Sequence, residues 1–179
     1  MPDKINIEWK EFNNLVEKVA IQIDDAKFKP DLLVGIMRGG AAIIDILSRI
    51  FKVKTAYLAA SSYSGEMIED QQSENIVFAR EMSSTMNEFP ENMKILVVDD
   101  LTDTGRTLDY TIKYLKDYPQ MKGKISDIKT CVLFQKPKSN FKPDFVGKVL
   151  KENTWLILPT EPFEEIRVED LRKKHKAKG

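Results

Sequence analysis

The chain has 179 residues, 42% of them hydrophobic and 31% charged, with 28 basic side chains against 28 acidic ones. That length suits one domain with a sizeable core, and the composition is that of a soluble globular protein. Balanced charge argues against a nucleic-acid partner, no apolar run nears the roughly 18 residues of a membrane span, and the start M-P-D-K-I-N-I-E lacks the apolar centre of an export signal.

A cytoplasmic location is therefore expected, with no membrane partner. Cys131, the only cysteine, lies in the apolar run T-C-V-L-F and reads as a small core residue, so no disulfide forms within the chain. His175, the only histidine, sits in the basic tail, which leaves acid–base work to carboxylates.

In chain order, Trp9, Phe12, Val16, Val19, Ala20 and Ile23 form a helical stripe that ends near Phe28-Lys29-Pro30. Asp31 to Ile36 reads as a short buried strand. Met37-Arg38-Gly39-Gly40 follows, ahead of a helix over Ala41 to Phe51. Two glycines permit a tight turn with exposed amides, and Arg38 offers a bidentate donor to an oxyanion. A plain strand-to-helix turn with a surface arginine is the other reading.

Lys54 to Ala60 is a further strand. Ser61-Ser62-Tyr63-Ser64-Gly65 then opens a long polar, mainly acidic stretch to about Asn92, read as a mobile loop over about 62–75, with a short hairpin at Ile76 to Arg80.

Lys94 to Leu108 reads K-I-L-V-V-D-D-L-T-D-T-G-R-T-L. Four apolar residues, Ile95 to Val98, without alternation suit a strand covered on both faces. They stop at the adjacent carboxylates Asp99 and Asp100. The loop Leu101 to Thr107 has the hydroxyls, the glycine and the following helix N-terminus of a phosphate cradle. A strand, an acidic turn and an N-cap without ligand would use the same residues, but two neighbouring carboxylates repel each other and favour a metal or a diol as partner.

Leu108, Ile112 and Leu115 give the next helix, closing near Tyr118-Pro119. Asp127 to Gln135 is another buried strand, followed by Lys136-Pro137-Lys138. Phe141 to Val149 reads as irregular and basic. Thr154 to Leu158 is a last short strand broken by Pro159, and a terminal helix runs through about Lys174. Alternating strands and helices predict an α/β domain with a doubly wound, mainly parallel sheet. The G-x-x-x-x-G-K-[ST] and G-x-G-x-x-G patterns are missing, which argues against ordinary nucleotide hydrolases and NAD enzymes. The V-V-D-D string also suggests a receiver-like signalling domain, but there the acid pair follows the first strand.

V-V-D-D-L-T-D-T-G-R-T-L resembles the phosphoribosyl-pyrophosphate (PRPP) motif of type I phosphoribosyltransferases. M-R-G-G is similar to that family's pyrophosphate loop and S-S-Y to the pair opening its flexible catalytic loop. F-Q-K-P, followed some way on by T-W-L, resembles the purine segment of 6-oxopurine members, in particular bacterial xanthine-guanine enzymes. The likeness runs over residues 30–162 or so.

The resemblance implies one phosphoribosyltransferase domain over residues 1–179, with a small hood from terminal segments at about 136–165. It implies transfer of 5-phosphoribosyl from PRPP to xanthine, guanine or hypoxanthine, with Mg²⁺, by a homodimer or homotetramer. Asp99 and Asp100 would take the ribose hydroxyls and the metal, directly or through water. Asp103 would face purine N7 as acid–base residue, and its backbone, with Thr104, Gly105, Arg106 and Thr107, would hold the 5′-phosphate. Arg38, with Met37, Gly39 and Gly40, would bind pyrophosphate, across a loop that in relatives carries a cis peptide before the arginine. Lys136 would donate to O6 and so reject adenine. Trp155 would stack on the base, and Leu156 would read its other edge by main chain. Ser62 and Tyr63 would close over the site. Glu161 stands where relatives carry an aspartate near the metal, and its longer side chain departs from that pattern. A PRPP- or nucleotide-sensing regulator on the same fold is the alternative. Retention of Arg38, Asp103 and Lys136 together favours the enzyme.

Overall fold

The computed structural model describes residues 4–62, 76–78 and 82–176; Tyr63 lies outside them. The chain divides into two compact units, one formed by Leu15–Asn153 and one by Met1–Asn14 with Thr154–Gly179. The 136–165 range expected as a hood is thus shared between them.

In chain order the elements are β1 (Lys4–Asn6), α1 (Trp9–Asp25), β2 (Leu32–Met37), α2 (Gly40–Phe51), β3 (Lys54–Ser62), β4 (Ile76–Phe78), β5 (Ser83–Ser84), β6 (Met93–Thr102), α3 (Arg106–Asp117), β7 (Ile125–Gln135), β8 (Phe145–Val149), β9 (Trp155–Ile157), α4 (Pro162–Glu165) and α5 (Val168–Lys176).

The larger unit is built on a sheet ordered β4-β3-β2-β6-β7-β8, with β5 on β3. Strands β3, β2, β6, β7 and β8 are parallel, and β4 and β5 are antiparallel to β3. The expected α/β architecture with a mainly parallel sheet is what the chain adopts. β2 and β6 are central, and Leu32, Leu33, Val34, Ile95, Leu96, Val97 and Val98 are all fully buried, as continuous apolar strands covered on both faces should be. Asp31 pins the start of β2 to β6 by exchanging hydrogen bonds with Lys94: its N–H donates to the Lys94 carbonyl and its Oδ2 accepts from the Lys94 N–H, both at 2.8 Å.

Two local expectations differ. The strand read as ending at Val98 continues through Asp99 and Asp100 to Thr102, because β7 pairs with it as far as Thr102↔Gln135. The Phe141–Val149 stretch contains β8, a parallel edge strand on β7. Its sequence F-V-G-K-V has little periodicity, and its partners fix it instead. Asp144 Oδ2 accepts from the Thr130 N–H at 2.8 Å and from its hydroxyl at 3.0 Å. Gln22 of α1 donates to the Val146 carbonyl and accepts from the Val146 N–H. Ile76–Phe78 pairs antiparallel with Ala60–Ser62; the rest of the hairpin expected over Ile76 to Arg80 lies outside the described residues.

In the smaller unit β1 pairs in parallel with β9, matching Lys4 with Trp155 and Asn6 with Ile157. The single terminal helix expected there is two, α4 and α5, separated at Ile166-Arg167.

Candidate active site

The carboxyl ends of neighbouring parallel strands gather chemistry in an open α/β sheet, and β2, β6 and β7 do so here. At the end of β2 the Met37–Arg38 peptide is cis, as the resemblance implied. The turn then passes directly against the end of β6: a Cβ on Gly39 would overlap the Asp100 carboxylate, and one on Gly40 would sit 2.5 Å from the Val98 carbonyl oxygen. Two glycines are thus what allows the Arg38 turn and the acid pair to share one place.

Within the pair the two carboxylates are unlike. Asp99 is buried, and its Oδ1 accepts from the Asp100 N–H at 3.0 Å. Burial first, and then the charge of Asp100, push the Asp99 carboxyl well above the usual carboxylate range. Asp100 is only half-buried.

Beyond Thr102 only Asp103, Thr104 and Gly105 intervene before α3, a shorter loop than expected. Gly105 has φ +90°, a left-handed conformation that disfavours any residue with a Cβ. The N-cap position of α3 is Gly105, which has no side chain to cap the helix, and free amides at a helix start are the usual basis of anion binding. Thr104 Oγ1 accepts from the Arg106 N–H at 3.4 Å. A cavity of about 90 Å³ opens here, lined by Asp99, Asp103, Thr104, Gly105 and Thr107 among others.

The segment after β7 is fastened to this loop. The Lys136 N–H donates to the Thr102 carbonyl at 3.0 Å and the Asn140 N–H to the Thr104 carbonyl at 3.2 Å. The Thr102 and Ser139 hydroxyls are 3.2 Å apart, and the Ser139 hydroxyl donates to the Phe141 carbonyl. A Cβ on Gly105 would overlap that of Phe141.

Lys136, only 8% exposed, puts its Nζ 3.3 Å from Asp103 Oδ1, while Lys138 Nζ lies 2.9 Å from Oδ2. Partial burial works against ionisation of Asp103. The contacts and charges of Lys138 and Lys136 outweigh it and hold the carboxyl below its ordinary value. This carboxylate therefore stays ionised at neutral pH and can accept a proton or a hydrogen bond.

Of the residues expected in the site, Met37 to Gly40, Asp99, Asp100, Asp103 to Thr107 and Lys136 all belong to the larger unit. Trp155, Leu156 and Glu161 belong to the smaller one. Trp155 is 55% exposed, and Leu156 is buried. Ser62 closes β3. Among the described residues no three acidic, histidine or cysteine side chains are gathered as a ready-made metal site. Lys138 and Ser139 were not anticipated. The only hint of Lys138 is the second lysine of K-P-K.

A model of the phosphoribosyl transferase domain matches residues 8–164. A hypoxanthine-guanine phosphoribosyltransferase of Aquifex aeolicus is 29% identical over 151 residues, covering 80% of this chain and 78% of that protein. Among solved structures, a purine phosphoribosyltransferase from Pyrococcus horikoshii superposes with a TM-score of 0.69 at 23% identity, covering 92% of this chain and 97% of that one. A xanthine-guanine-hypoxanthine phosphoribosyltransferase from Helicobacter pylori gives 0.67 at 23% identity, over 96% and 99%.

Proposed function

Since the chain belongs to the phosphoribosyltransferase family, whose reactions are glycosyl transfers, we propose that it moves the 5-phosphoribosyl group of PRPP onto a 6-oxopurine: hypoxanthine, guanine or xanthine. The observation that carries this reading is the pairing of Asp103, beside the phosphate cradle, with the buried Lys136. A proton acceptor and an oxygen-seeking cation lie side by side, as N7 and O6 lie side by side on such a base. The names of the relatives support the same substrate class.

In the reaction the purine N9 lone pair forms the new bond to ribose C1′, while the C1′–oxygen bond breaks and its electron pair leaves with pyrophosphate. The proton of the purine imidazole ring passes from N7 to Asp103. The carboxylate is ionised and so able to accept it; its lowered pKa makes it a weak base, so the transfer relies on position. Lys136 donates to O6 and meets no acceptor on the adenine amino group. Thr104, Thr107 and the amides at the start of α3, with Arg106, take the 5′-phosphate. Arg38 with the Gly39 and Gly40 amides takes the departing pyrophosphate. Trp155 offers an exposed ring for base stacking and the Leu156 main chain a second edge contact. Ser62 and Tyr63 are assigned to closure over the sugar.

Mg²⁺ fits the donor set. Asp99 and Asp100 are hard oxygen donors, and two carboxylates leave ligand positions for water and substrate oxygens, as magnesium prefers. When bound, the ion neutralises charge on the leaving pyrophosphate. No step is assigned to Glu161. A cytoplasmic homodimer or homotetramer is the expected form, and light scattering tests the assembly.

The deciding experiment is a spectrophotometric assay with PRPP and Mg²⁺ against hypoxanthine, guanine, xanthine and adenine in parallel. Turnover of one or more 6-oxopurines and none of adenine is expected. Adenine turnover would remove the role given to Lys136, and PRPP binding without any turnover would favour a sensor.

A further inference from the structure

The string K-P-K puts a second lysine two residues after the one that meets the base, and the reaction as written leaves it unused. Its ammonium nevertheless makes the shorter contact with Asp103: 2.9 Å to Oδ2, against 3.3 Å from Lys136 to Oδ1. The two contacts also differ in kind. Asp103 Oδ1 is shielded from solvent and meets Lys136 at the longer distance, while Oδ2 meets Lys138 at the shorter one. Lys136 is sunk in the protein, whereas the Lys138 side chain is 46% exposed. The backbone on either side of Lys138 is fixed, with the Lys136 N–H on the Thr102 carbonyl and the Ser139 N–H on the Lys136 carbonyl at 3.1 Å.

We propose that Lys138 is the positioning residue of the acid–base carboxylate. It holds Asp103 by Oδ2, leaves Oδ1 as the acceptor for the purine N7 proton, and releases Lys136 for the purine oxygen. The proposal rests on the reading of Asp103 and Lys136 as the base-contacting pair. When the Lys136 ammonium turns one of its three donors to O6, its charge is shared between the purine oxygen and Asp103, and its hold on the carboxylate weakens. With two, the carboxylate keeps a cation when Lys136 turns to the base. Lys138 and Lys136 are the charged groups that act on Asp103 among the described residues. Loss of the exposed one therefore removes the partner that persists during turnover. An ion pair this open to solvent adds little to folding stability, so its value lies in aim rather than in cohesion.

The test compares Lys138→Met and Lys138→Arg in the full chain. Initial rates are measured with PRPP, Mg²⁺ and hypoxanthine or guanine, and the Asp103 carboxyl is titrated by ¹³C NMR, with Asp103→Asn to assign its signal. Lys138→Met should lower kcat about tenfold to a hundredfold, the range for a misplaced catalytic group. KM for PRPP and the melting temperature should stay as they were, and the Asp103 pKa should rise. Lys138→Arg should recover most of the rate. An unchanged kcat in Lys138→Met overturns the proposal whatever the titration gives. If the unaltered protein turns over no purine, the reading of the reaction falls. The titration then decides alone: a raised Asp103 pKa keeps Lys138 as the group that governs this carboxylate, and an unmoved one removes it.

Discussion

The two stretches that meet at the site are held in opposite ways. Asp99 to Thr102 are the last residues of β6, paired with β7 through Thr102↔Gln135. Their positions follow from the ladder. Lys136 to Phe141 have left β7 and belong to no element; they are fastened by single bonds to Thr102 and Thr104 and by the Gly105–Phe141 contact. The half proposed to take the sugar-phosphate thus rides on the sheet, and the half proposed to take the base leans on it. A disturbance should pass readily from Thr102–Gly105 to Lys136–Phe141, and much less in the other direction.

The largest effect is expected at Asp103, which follows the first stretch and meets two lysines of the second. Asp103→Asn keeps the shape and removes the proton acceptor, and kcat should fall by about 10²- to 10⁴-fold, with PRPP affinity little changed when followed by calorimetry. An unaltered rate would take Asp103 out of the chemistry. Its pH profile gives a second check. A carboxyl held below its ordinary value, near 3.9, stays ionised until the pH falls through that lowered value, so no acid limb due to Asp103 should appear at or above about pH 4.

Lys136→Met comes next. It leaves β6 untouched and should cost about a hundredfold in kcat/KM for hypoxanthine, roughly 2.7 kcal/mol at 1.36 per decade, with the preference over adenine reduced and PRPP affinity retained. A parallel loss of PRPP affinity would mean that the halves are not separable.

Gly105→Ala strikes from the other side. The new methyl requires the left-handed backbone and meets Phe141, so a loss of about 1–3 kcal/mol is expected from the backbone alone, read as a lower melting temperature. Both PRPP and purine binding should weaken together. Adding Phe141→Gly removes the Cβ that the new methyl overlaps and should recover part of the loss, the part due to the left-handed backbone remaining.

The smallest effect has the opposite sign. Asp99→Asn removes a buried charge beside Asp100 while keeping an acceptor for the Asp100 N–H. Because the folded-state pKa of Asp99 is raised, the stability it contributes is present below the unfolded value and lost as pH rises through the folded one. The variant should therefore be more stable by about 1 kcal/mol at neutral pH, the gain should vanish below about pH 4, and activity should drop.

How much of this was legible in the sequence tracks the same contrast. Val97 to Thr107 could be read directly, since an apolar strand, an acid pair and a Thr/Gly loop are local signals. The Arg38 turn was found for the same reason. What could not be read were features that exist only through partners far along the chain. β8 depends on Gln22 and on Thr130 with Asp144. β1 is three residues that become a strand only beside Trp155 to Ile157. The extension of β6 through its carboxylates needed β7, because adjacent acids on their own suggest a turn. Lys138 was overlooked because nothing in K-P-K says which carboxylate it will meet.

The fastening of Lys136–Phe141 by main-chain bonds to Thr102 and Thr104 has a practical corollary. Backbone amides do not depend on which side chains they carry, so residues of this segment can be exchanged while its attachment persists. Positions of the six-residue segment whose side chains make no contact with Thr102–Gly105 are therefore the ones a screen can vary while the main-chain attachment persists.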